Sequence, residues 1–115
     1  MDKKLIYVAG LYGGKEENKQ LIENVIKRLK QKDSISPHSN RVYISPVHTF
    51  GFMYEDTEYL EGLDYCLNLL DRCDECYMLS NWRESTGTQI EYGFCKAREI
   101  LITFIDIDSL MKEEF

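Results

Sequence analysis

Seven residues, Ser85-Thr86-Gly87-Thr88-Gln89-Ile90-Glu91, combine hydroxyls, a glycine and a carboxylate at spacings that can do chemistry. They follow the apolar run Cys76-Tyr77-Met78-Leu79, which reads as a buried strand, and lead into Tyr92-Gly93-Phe94-Cys95-Lys96-Ala97, which reads as a helix. Thr86 and Gln89 have capping-box spacing, so the helix is expected to start near Thr86. A helix that begins directly after a strand points free backbone N–H groups and a positive dipole end at whatever lies above the sheet. Gly87 lets that backbone approach a ligand closely, because it has no Cβ. Glu91 lies a little over one turn into the helix, beside the same opening. An anion-holding turn next to a carboxylate is suited to glycosyl chemistry. The same residues also fit an ordinary strand-to-helix turn followed by a plain helix glutamate.

The elements that must position this stretch come in alternation. Leu5-Ile6-Tyr7-Val8-Ala9 is an apolar run of strand formers and reads as a strand buried on both faces. Gly10-Leu11-Tyr12-Gly13-Gly14 follows as a glycine-rich turn. It is not a P-loop, because Lys15 precedes Glu16 rather than Ser or Thr. It is either a tight strand–helix connection or a floor on which a flat or anionic ligand lies. A helix is expected from about Lys15 to Lys32, with Leu21, Ile22, Val25, Ile26 and Leu29 on its inner face. Residues 33–40 read as a polar loop, and Arg41-Val42-Tyr43-Ile44-Ser45 as a second strand.

Pro46 to Tyr54 reads as an aromatic loop that covers a ligand or meets another subunit. His48 falls within it, either as a hydrogen-bonded loop histidine or as part of a site. Asp56 or Thr57 is expected to cap a second helix running to about Arg72, with Leu60, Leu63, Leu67 and Leu70 inward. A third strand spans Glu75 to Leu79, a third helix ends near Arg98, and Ile100 to Ile105 forms a fourth strand. Asp106 to Phe115 is a short amphipathic tail. Such alternation predicts right-handed βαβ units and a parallel sheet, with ligands at the carboxyl ends of the strands. The glycine turn, the aromatic loop and Ser85–Glu91 all fall at such ends, and this predicts a single pocket.

At 115 residues the chain has room for one domain with a real core and not for two. An apolar fraction of 43% argues against global disorder. The net charge of −6 argues against binding a nucleic-acid polymer or an anionic membrane surface. No apolar run approaches the roughly 20 residues that span a bilayer, and the N-terminus carries no cleavage site. A cytosolic protein is expected.

Cys66, Cys73, Cys76 and Cys95 then need an explanation other than disulfides. Cys73-x-x-Cys76 has the spacing of half a zinc site, which Cys66, Cys95, His38 or His48 would have to complete. A redox pair of this spacing belongs at a helix N-terminus, whereas this one falls where a helix ends. Buried core thiols are the simpler reading, so neither metal nor cofactor is expected.

Four motifs occur in order: Tyr7-Val8-Ala9-Gly10-Leu11-Tyr12-Gly13-Gly14, Tyr43-Ile44-Ser45-Pro46-Val47-His48, Leu69-Leu70-Asp71-Arg72-Cys73-Asp74, and Ser85-x-Gly87-x-x-x-Glu91. Together they resemble the nucleoside 2-deoxyribosyltransferase-like superfamily, most closely its small phage- and bacteria-associated members. The likeness covers nearly the whole chain. It implies an α/β, flavodoxin-like three-layer sandwich with a parallel sheet of four to five strands in the order 2-1-3-4. It also implies a homodimer or higher homo-oligomer, and cleavage of the N-glycosidic bond of a nucleoside or nucleotide.

In that pattern Glu91 matches the glutamate that attacks C1′ of the sugar and forms a covalent glycosyl-enzyme, later released to water or to a second base. Ser85 matches a position that is aspartate in members acting on nucleosides and serine in those acting on 5′-monophosphates. A carboxylate there would repel a phosphate, whereas a hydroxyl donates to it. By the same resemblance Gly10, Tyr12, Gly13 and Gly14 hold base and sugar, and His48 and Gly87 complete the expected substrate-binding set. One position departs from the pattern. The enzymes carry an aspartate eight residues before the position of Asp74, and here that position is Cys66. Asp64 lies about 200° round the helix from it and should face elsewhere. Asp74, at the far end of the sheet, reads as structural.

Two functions follow: an N-glycosidase or deoxyribosyltransferase using Glu91, or a non-catalytic nucleotide-binding module. Glu91 is expected to line the pocket free of a structural partner, since Cys95 at i+4 forms no salt bridge. Ser85 is expected to hold an anion, and the second helix and Phe50–Tyr54 are expected to meet a second copy.

Overall fold

A computed structural model of the chain describes residues 2–36 and 39–115. Strand β1 (Lys4–Ala9) is central, pairing in parallel with β2 (Arg41–Ile44) and with β3 (Glu75–Leu79). β3 pairs in parallel with β4 (Leu101–Ile105), so the order is β2-β1-β3-β4. Between them run α1 (Glu16–Ser34), α2 (Pro46–Phe50), α3 (Tyr59–Leu70) and α4 (Thr86–Arg98), and α5 (Ile107–Lys112) closes the chain.

Strand alternation divides the core into two layers. Ile6 and Val8 of β1, with Tyr77 and Leu79 of β3, pack against Ile22, Val25 and Leu29 of α1 and Leu110 of α5. Tyr7 and Ala9, with Cys76 and Met78, point the other way against Leu70 and Cys95, from α3 and α4. The sheet is thus covered on both faces, as a parallel sheet requires, and the fold is a flavodoxin-like three-layer α/β sandwich. Of the four to five strands expected, the described residues form four. β4 forms an edge with Leu101 and Phe104 exposed. Among the described residues no helix is long and apolar enough to cross a membrane.

Three local expectations need correction. Residues 46–54 are not a loop: Pro46 opens α2 and a 3-10 segment, Gly51–Asp56, follows. Proline suits the first turn because its missing N–H would be unpaired there anyway, and the Ser45 hydroxyl caps the same turn by accepting from the His48 N–H at 3.2 Å. α3 starts at Tyr59, with neither Asp56 nor Thr57 as its cap. Leu60 therefore sits in the first turn and is 76% exposed, Leu63 and Leu67 are half-buried, and only Leu70 is fully inside. The cap of α4 is Ser85, not Thr86: its hydroxyl accepts from the Thr88 N–H at 3.2 Å. Gln89 turns back to donate to the Arg83 carbonyl instead of closing a capping box.

Candidate functional site

The chain leaves β1 toward β2 on one side and later returns to β3 on the other, so the turns after β1 and β3 diverge. That divergence opens a crevice at the carboxyl ends of the strands. A cavity of about 700 Å³ lies there, walled by the glycine turn, α2 with its 3-10 extension, α3 and the start of α4. Asn81 ties the two turns together, its side-chain oxygen accepting from the Leu11 N–H at 3.2 Å.

Gly10, Tyr12 and Gly13 line the cavity, as do Ser85, Gly87 and Glu91. Gly13 and Gly14 both have positive φ, +60° and +74°, which glycine adopts without strain. Gly14 does not itself reach the cavity. A Cβ there would meet the Tyr54 ring at 2.7 Å, so this glycine seats the aromatic segment that roofs the pocket. Tyr54 in turn meets Tyr12 edge to face at 5.0 Å. The roof and the glycine turn are one packed unit.

His48 does not join these residues. Pro46, Val47 and Phe50 share the face of α2 that lines the cavity, which leaves His48 and Thr49 on the face toward α1. There His48 Nδ1 lies 2.8 Å from Ser45 Oγ, and its Nε2 lies 3.6 Å from a Glu23 carboxylate oxygen. It lies on the side of α2 that faces α1, away from the cavity.

Glu91 is buried at the base of the cavity, and contrary to expectation it has a structural partner. The Tyr7 hydroxyl donates to its carboxylate. Tyr7 is fully buried, and burial, with Glu91 and Cys66 nearby, holds its phenol well above its ordinary value. It therefore remains a proton donor at neutral pH. Burial also pushes the Glu91 carboxyl up to about 7, while the bond from Tyr7 works the other way. Cys66 lines the cavity beside this pair, and burial, then Glu91, push its thiol up to about 11. It is therefore neutral at neutral pH.

The other acids fall where their roles are structural. Asp64 faces solvent and binds Asn68. Asp74, at the opposite end of the sheet, accepts from the Leu5 N–H at 2.7 Å, and its own N–H donates to the Leu5 carbonyl at 2.8 Å. Cys73, Cys76 and Cys95 are buried core thiols, and among the described residues no cluster of His, Cys, Asp and Glu could hold a metal ion. His38 lies outside the described residues.

The cavity lining carries Glu58, Glu84 and Glu91, and among the described residues no Lys, Arg or His. Its remaining surface is mostly aromatic and aliphatic. A flat neutral ring suits such walls, and a carboxylate held at the base suits attack on an electrophilic carbon.

Two elements of the site escaped the sequence reading. Tyr7 looked like plain core, and only its contact with Glu91 gives it a role. Tyr59, at the start of α3, approaches Gly87 across the cavity: a Cβ on Gly87 would lie 3.1 Å from its hydroxyl. In the sequence it is one more tyrosine after the aromatic stretch Phe50–Tyr54, and nothing there points to Gly87.

No curated protein matches the chain in sequence. A family model described as "Domain of unknown function (DUF4406)" matches residues 4–104, from the first strand through most of the last, and the chain belongs to that family.

Proposed function

We propose that this protein cleaves or transfers the N-glycosidic bond of (deoxy)nucleoside 5′-monophosphates, with Glu91 as nucleophile. The observation that carries the reading is a buried carboxylate at the base of an aromatic cavity, held, among the described residues, by one neutral donor and by no cation. An ion pair would quench a nucleophile, whereas a single phenol orients it. The resemblance to nucleoside 2-deoxyribosyltransferase-like proteins points to the same residue. Attack by Glu91 on C1′ would form the glycosyl-enzyme ester as the C1′–N bond breaks and the base leaves with its electron pair. Water or a second base would then displace Glu91. The hydroxyl of Ser85 and the first N–H groups of α4 are the proposed anchor for the 5′-phosphate. A nucleotide substrate would accord with a cytosolic protein.

The protein is proposed to work as a homodimer. Phe52, 80% exposed, and Leu60, 76% exposed, lie on the aromatic segment and α3, as a covered face would require.

Cys66 supports a second reading, a nucleotide-binding module without turnover. Its neutral thiol stands where the enzymes that the sequence resembles carry an aspartate to orient substrate and catalytic groups.

The deciding experiment incubates purified protein with deoxynucleotides and ribonucleotides and scores free base. Release that disappears in Glu91→Gln establishes the enzyme. Binding without release establishes the module, and neither activity refutes both.

A further inference from the structure

Resting on the nucleotide reading, a sharper question is which groups meet the charge of a 5′-phosphate in a cavity whose lining contains no cation among the described residues. Neutral donors must do so. The Thr88 hydroxyl is committed to the carbonyls of Trp82 and Ser85. The Ser85 oxygen accepts from the Thr88 N–H, which leaves its own proton free to donate.

A second hydroxyl faces the same spot. A Cβ built on Gly87 would lie 3.1 Å from the Tyr59 oxygen and 3.8 Å from Ser85 Oγ, so the two hydroxyls flank one point on the first turn of α4. One phosphate group can span them with two hydrogen bonds. No described residue is a hydrogen-bond partner of the Tyr59 hydroxyl. Burial, with Tyr54, Glu91 and Cys66 nearby, raises its titration above the ordinary phenol, so it remains a donor. Tyr59 as a residue is 53% exposed, which argues that packing alone does not account for its placement.

We propose that Tyr59 is a specificity-determining residue, its hydroxyl donating to the charged 5′ group of the substrate alongside Ser85. Tyr59 and Ser85 together would then distinguish a nucleotide from a nucleoside. Glu58 and Glu84 on the lining set the opposite pressure, disfavouring any anion these donors do not hold.

The test uses Glu91→Gln protein, to suppress turnover, with and without Tyr59→Phe. Calorimetry would compare the four deoxynucleoside 5′-monophosphates with their nucleosides. The expected result is a monophosphate affinity weakened roughly tenfold or more by Tyr59→Phe, with nucleoside affinity changed less than about twofold. Thermal melts of both proteins should coincide within about two degrees, which separates a lost contact from a damaged fold. If Tyr59→Phe retains the full monophosphate preference, Tyr59 is not the contact and the nucleotide reading stands. If the parent protein binds neither class, the nucleotide reading falls and this inference falls with it.

Discussion

The Tyr7 phenol on β1 donates to the Glu91 carboxylate on α4, joining residues 84 positions apart in the chain. Because Glu91 must be ionised to attack carbon and its carboxyl sits at about 7, base release should rise with pH through about 7. Tyr7→Phe removes the donor that favours the charged form, so the midpoint should move to higher pH. A kcat/KM profile from pH 5 to 9 measures both, and a profile flat across that range contradicts the assignment.

Burial of Glu91 also sets the sign of a stability effect. Its carboxyl is raised from the ordinary 4.5 to about 7, so the folded protein holds this proton more tightly than the unfolded chain. The resulting stabilisation is full below about 4.5 and is lost as pH rises toward 7, a change on the order of a few kcal/mol. Glu91→Gln should therefore change little at pH 5 and raise the melting temperature at pH 8. Equal shifts at both pH values would show that the Glu91 carboxyl titrates alike in the folded and unfolded chain, against the assignment.

Cys66→Asp would place a second carboxylate against Glu91. If the protein is an enzyme, base release should increase, with its profile displaced upward because two adjacent carboxylates resist joint ionisation. The fold should lose a few kcal/mol above neutral pH, where both charges are buried. A destabilised variant with no release favours the binding module.

Gly87→Ala puts a methyl 3.1 Å from the Tyr59 hydroxyl. Alanine is the better helix former by about 1 kcal/mol, so global stability should move by no more than about that amount. Displacement of Tyr59 should weaken monophosphate binding severalfold. Titrations and melts on the same samples separate the two effects, and unaltered binding would mean that Tyr59 yields without consequence.

Asp74 is the control. Its carboxylate and N–H clasp Leu5 at the end of the sheet away from the cavity. Asp74→Ala should cost about 1–2 kcal/mol in a denaturant melt, with ligand affinity unchanged. A change in affinity at constant stability would mean that this end of the sheet communicates with the cavity.

Long periodic elements were legible in the sequence because their burial writes itself into residue order. The apolar run of β1, the inner stripe of α1 and the strand-to-helix passage into α4 are cases in point. The stretch from Pro46 to Asp56 was not, since five-residue helices and 3-10 turns leave no period to count. Misplacing the start of α3 carried Leu60 to the wrong side, and reading α2 as loop gave His48 no face at all. Glu91 and the glycine turn could be proposed from local chemistry. Tyr7 and Tyr59 could not, because their roles come from contacts across the fold that no spacing encodes.

The central position of β1 has a consequence for how the protein is made. Tyr7 is synthesised well before its partner, which emerges 84 residues later. At about 5–20 residues per second, Tyr7 waits roughly 4–17 s for Glu91. During that interval β1 and β2 with α1 can bury one face of the nascent sheet, while Tyr7 and Ala9 remain uncovered on the other. Completion of the pocket therefore waits on α4, the last of its walls to be made.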